Sequence, residues 1–158
     1  MLEVLVSESD FDIAEQYQKL CNGLSNIGAV VTFVGLVRDL NEDGKVSSLE
    51  LQHYPGMTES LIKDILQEAQ QRWNLERAIV IHRVGPLKPS DQIVYIGVAS
   101  AHRKEAFAAA EFIMDYLKTK ATFWKKESRK DSSGKDKARW LDMKDSDKAA
   151  SDRWKSEP

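Results

Sequence analysis

The residues best suited to chemistry lie between Ser100 and Glu127, in SAHRKEAFAAAEFIMDYLKTKATFWKKE. A His102–Arg103 pair opens this stretch, and Lys118, Lys120, Lys125 and Lys126 close it. The formal net charge of the chain is only -2, so these cations are a local excess on a near-neutral background. Such an excess suits one bound anion better than a generally adhesive basic surface. Ser100 is the expected N-cap of a helix, whose free backbone N–H groups, helped by Arg103, would hold a phosphate or carboxylate. Lys118 and Lys125 have a second use. A lysine partly desolvated among other cations has a lowered pKa and can act as general acid, general base or nucleophile near neutral pH. Arg38 ends the run FVGLVRD, where a strand-end arginine can clamp an anion in bidentate fashion.

Each residue also has a plainer reading that the sequence leaves open. His102 and Arg103 can decorate a helix end, Arg38 can pair with Asp39, and the lysines can form a solvated charged face. His53 and His82 each stand near the end of a strand, where a histidine is either catalytic or a satisfied structural group. The three histidines lack metal-ligand spacing, and no phosphate-binding glycine loop or nucleophile elbow is present, so neither a metal nor a cofactor is expected. Cys21, the single cysteine, reads as a small core residue.

The elements that must position these residues follow from periodicity. Strands are expected at Leu2–Val6, Ile27–Val37 with a bend at Gly35, Ser48–Tyr54, Ala78–Val84 and Ile93–Ala99, the last in the middle of a sheet. Helices are expected up to about Cys21 with a Ser9/Asp12 capping box, over Met57–Trp73, and over His102–Lys120. The apolar stripe of the second is Met57, Leu61, Ile65, Ala69 and Trp73; that of the third is Phe107, Ala110, Met114 and Leu117. GPLKPSD (Gly85–Asp91) is expected to be a turn. Hairpins mixed with crossovers predict an α+β fold with a mixed or antiparallel sheet and three main helices. Residues 1–141 form one domain on this reading, and 142–158 a charged tail. From Ser128 onward there are nine Lys/Arg and seven Asp/Glu with few apolar residues, which predicts a largely solvated segment. Arg139–Leu141 is a candidate short strand.

At 158 residues, with 42% hydrophobic and 30% charged residues, the chain can bury a core. A pI near 6.0 and interleaved acids argue against nucleic acid. No membrane span or signal peptide is evident, and a single cysteine points to the cytosol.

Four blocks, GAVVTFVGLVRD, LELQHYPGM, VIHRVGPLKPSDQIVYIGVASAHR and EFIMDYLKTKATFWKKE, followed by Trp140, resemble the large, catalytic subunits of molybdopterin synthases over Leu2–Leu141. The resemblance implies a hammerhead-like α+β fold, a dimer of large subunits, and a small ubiquitin-like partner bound to each. The partner's C-terminal Gly-Gly would carry a thiocarboxylate, whose sulfur goes to cyclic pyranopterin monophosphate to build the molybdopterin dithiolene. It further implies catalytic roles for Lys118 and Lys125, and substrate binding by Arg38, His102 and Arg103. One departure stands out: Thr122 occupies a position where the family usually has proline. The reading from another class is a non-catalytic module whose basic cluster only docks an acidic tail.

Overall fold

The computed structural model describes residues 1–41, 44–121 and 123–155. Strand β1 (Leu2–Ser7) leads to α1 (Ile13–Cys21), then β2 (Ala29–Leu36), the two-residue strands β3 (Leu40–Asn41) and β4 (Gly44–Lys45), and β5 (Ser48–His53). Helix α2 (Met57–Arg72) precedes β6 (Leu75–Arg83), β7 (Gly85–Leu87) and β8 (Gln92–Ser100). Helix α3 (Arg103–Thr119) is followed by β9 (Phe123–Lys130), β10 (Asp136–Leu141), α4 (Asp145–Asp152) and a 3-10 turn at Arg153–Lys155.

Two four-stranded sheets result. The first has the order β1-β6-β8-β2, with β1 parallel to β6 and the other pairs antiparallel; the second, β10-β9-β5-β7, is antiparallel throughout. The central strands of the first sheet are apolar on both faces because both faces are covered. Ala78, Val80, Val94, Ile96 and Val98 pack with α2 and α3, whereas Ile79, Ile81, Tyr95 and Ala99 pack with Phe11 and Leu20 at α1. Cys21 lies half-buried beside that second group. A smaller cluster of Val37, Leu49, Leu51, Val84 and Leu87, with Ile93 and Phe123 against it, joins the two sheets. The expected bend in β2 is a register shift between Gly35 and Leu36. A Cβ at Gly35 would come within 2.6 Å of Val94 Cγ1, so the close approach of β8 requires glycine there.

Several expectations need correction. The cap of α1 is Asp12, whose Oδ1 accepts from the Glu15 N–H at 2.9 Å; Ser9 instead donates its N–H to Ser7 Oγ. Ser100 is still in β8. Its hydroxyl donates to Glu105 Oε2 at 2.8 Å, and His102 takes the N-cap position of α3. The inward stripe of α2 is Thr58, Ile62, Ile65, Leu66 and Ala69, while Met57 is exposed. Likewise Phe107 is 64% exposed, and α3 buries Ala106, Ala109, Phe112, Ile113 and Tyr116 beside the expected Ala110 and Leu117. Part of the GPLKPSD turn pairs with β5 as β7.

The charged segment from 142 carries α4, and Trp154 enters the main core at 5% exposure. Its indole Nε1 donates to Asp115 Oδ2 at 2.8 Å, and its ring meets Trp73 and Phe112 edge-on. One aromatic residue thus anchors a segment whose average composition reads as solvated.

Candidate active site

Helix α3 determines which cations can meet. At 1.5 Å per residue, Arg103 and Lys118 are separated by roughly 22 Å along one helix axis. Helix α3 returns antiparallel to β8, so Lys118 lies toward the Gln92 end of the sheet. Leu36 pairs with Gln92 at that same end, and Val37 donates its N–H to the Asp91 carbonyl at 2.9 Å. Arg38 therefore belongs to the lysine end, and His102–Arg103 to the opposite one. Arg38, His102 and Arg103 are exposed, and their side chains make no hydrogen bond or ion pair among the described residues. The pairing of Arg38 with Asp39 that the sequence left open is not formed.

Lys125 is set up differently. In β9 it pairs with Leu51 of β5 and Leu141 of β10, which places it on the apolar face shared with Phe123. Burial chiefly, and the Lys118 ammonium next, hold its pKa below the ordinary lysine value; Lys144 acts in the same direction and Asp147 against it. Lys118 is half-exposed, with its Nζ 3.3 Å from Asp147 Oδ1. The structure thus brings Lys118 and Lys125 together. Beside them it brings two acid–base groups from the C-terminal segment, Asp147 and Lys144, which sequence reasoning missed because neither stands in a motif. Glu127, two residues after Lys125, is 2% exposed and balanced by Arg129 and Arg139, which fastens β9 to β10.

The two histidines left open now have places. His82 is buried, with its ring stacked on Phe123 at 3.8 Å and 18°. His53 pairs with Phe123 across the β5–β9 ladder and lies 3.7 Å from Glu59. Among the described residues no group of three or more His, Cys, Asp or Glu side chains could hold a metal ion. Thr122, the departure noted above, lies outside the described residues.

Chemically, this end of the molecule offers one lysine that gives up its proton more readily than usual, a second ammonium beside it, and an unpaired guanidinium. That set can hold two anions together and exchange a proton between them.

Comparison with known proteins places these features in a family. Residues 6–120 match the family described as MoaE protein. A molybdopterin synthase catalytic subunit of Vibrio cholerae is 54% identical over 151 residues, covering 96% of this chain and 97% of that one. Its counterpart from Ralstonia nicotianae is 52% identical over 154 residues, covering 98% and 85%. The solved structure of molybdopterin cofactor biosynthesis protein E from Burkholderia multivorans superposes with a TM-score of 0.81 at 46% identity, covering 100% of this chain and 99% of that one. The chain belongs to the MoaE family.

Proposed function

We propose that this chain is the catalytic subunit of a molybdopterin synthase. It takes sulfur from the C-terminal thiocarboxylate of a small ubiquitin-like subunit and places it on cyclic pyranopterin monophosphate. The observation that carries this reading is the Lys118–Lys125 pair, in which a depressed lysine stands beside a second cation at the end of α3. Thiocarboxylate and substrate phosphate are both anionic, and their approach in a partly dry site needs fixed positive charge. Lys118, the more exposed, meets the incoming thiocarboxylate; Lys125 supports the same centre and exchanges a proton. Arg38 holds substrate at the same end.

His102 and Arg103 lie too far along α3 to share that substrate within one chain. They serve the site as substrate-binding groups when a second copy brings the start of its α3 to the first copy's lysines, so the dimer is part of the catalytic unit. No helix among the described residues is long and apolar enough to cross a membrane. On the lone cysteine, Cys21, we assign the reaction to the cytosol.

The test supplies purified chain with thiocarboxylated small subunit and cyclic pyranopterin monophosphate, and compares wild type with Lys118→Arg. Product from wild type and a large loss in the arginine variant support close positioning of an ammonium, which a guanidinium cannot imitate. Small-subunit binding without product in wild type would make the chain a docking module instead.

A further inference from the structure

His82 stands one residue before the end of β6, with Val6 of β1 on one side and Val94 of β8 on the other, and solvent reaches only 7% of it. Its Nδ1 lies 2.8 Å from the carbonyl oxygen of Arg83. A carbonyl only accepts, so Nδ1 carries the hydrogen, and Nε2 of the neutral ring keeps its lone pair. Neutral is the state this surrounding favours: burial first, then the charges of Lys125 and His53, press the imidazole pKa down to about 4, against the opposing Arg83 carbonyl. Among the described residues Nε2 has no hydrogen-bond partner.

The same ring holds the start of β9. Phe123 stacks on it, and Lys125 follows two residues later on the same face. The charged groups that face Lys125 from other elements are Lys118 of α3 and Lys144 and Asp147 of the C-terminal segment, with His82 of β6 beside them. Asp147 is the one anion in that set, and it is paired to Lys118. A carboxylate in place of His82 would neutralise Lys125 and compete with an incoming anion. A neutral acceptor orients an ammonium and leaves its charge available.

We propose that His82 is a positioning residue for Lys125: the Phe123 stack sets the direction in which Lys125 leaves β9, and Nε2 accepts a hydrogen bond from its ammonium during turnover. The turnover part rests on the synthase reading above; the Phe123 stack and the placing of Lys125 on the same face of β9 do not.

Two variants of the full chain separate the contributions. His82→Phe keeps a stacked ring and removes the acceptor, whereas His82→Gln returns an acceptor oxygen close to the Nε2 position. In the complete assay His82→Phe should lower kcat about tenfold or more, with substrate KM and small-subunit affinity unchanged, and His82→Gln should recover much of the loss. Without any activity measurement, NMR titration of the Lys125 side chain should give a still lower pKa in His82→Phe and a value near wild type in His82→Gln. Wild-type kcat and wild-type Lys125 titration in His82→Phe would overturn the proposal. So would equal losses in both variants with Lys125 unmoved, which would make His82 a packing residue. If wild type forms no product, the synthase reading fails, while the lysine titration still decides the role of His82.

Discussion

Helix α3 carries cations at both ends, and the two ends are built for different work. At its start, His102 and Arg103 extend into solvent without side-chain partners among the described residues, on a turn fixed by the Ser100–Glu105 hydrogen bond. At its finish, Lys118 is paired with Asp147, and Lys125 is sunk against apolar neighbours with its proton loosened. Lys125 stands out by burial, since cations of similar number occupy both places. An exposed arginine stays charged and suits capture of a diffusing phosphate; a desolvated lysine suits proton exchange.

The strongest way to break this contrast is to ask whether the ends work together across two copies. Lys118→Ala and Arg103→Ala chains, each nearly inactive alone, should regain activity when mixed and allowed to exchange subunits. In a two-fold dimer each mixed pair has one site with both defects and one intact, so about a quarter of wild-type activity should return. No recovery on mixing, with exchange verified by mass spectrometry, would mean that each chain forms its site alone.

A second test concerns the buried end alone. His82 titrates near 6.5 when unfolded and near 4 when folded, so between these values the unfolded chain binds more protons. Its contribution is therefore fully present above about pH 6.5 and falls as the pH drops toward 4. The expected loss in unfolding free energy is about 3 kcal/mol, read from urea melts across that window. His82→Phe should flatten this part of the profile; an unchanged slope would assign the acid sensitivity to other groups.

The smallest effect is expected at the Lys118–Asp147 contact. Lys118 is half-exposed and Asp147 partly so, and Asp147→Asn should cost less than about 1 kcal/mol in a denaturant melt. A loss of several kcal/mol would make α4 a structural support of the site and weaken the assignment of Lys118 to chemistry.

Much of this architecture was legible in the residues. The β-branched run of β2 and its bend at Gly35, the doubly covered β8, and the three long helices follow from local pattern. Helix faces were less legible for a geometric reason. A stripe drawn every fourth residue drifts by about 40° per step on a helix of 3.6 residues per turn. From Met57 to Trp73 it wanders off the buried face that Ile62 and Leu66 occupy. Phe107 misleads in the opposite sense, as a large apolar residue left in solvent while the small Ala106 and Ala109 let α3 approach the sheet. At the site, residue type offered Arg38, Lys118 and Lys125 only as candidates beside plainer readings, and the resemblance supplied the roles proposed for them. Residue type could not reveal that the β2–β8 pairing brings Arg38 to the Lys118 end of α3, nor that Trp154 anchors the segment carrying Asp147 beside Lys118. Those depend on packing between elements distant in sequence, to which local pattern is blind.

The most direct measurement is a single-turnover assay of sulfur transfer from thiocarboxylated small subunit to cyclic pyranopterin monophosphate, wild type against Lys118→Ala. The account predicts dithiolene product from wild type and a rate reduced by about a hundredfold or more in the variant, with small-subunit affinity retained. Product formed by Lys118→Ala at the wild-type rate would contradict it, and would take the chemistry away from the end of α3.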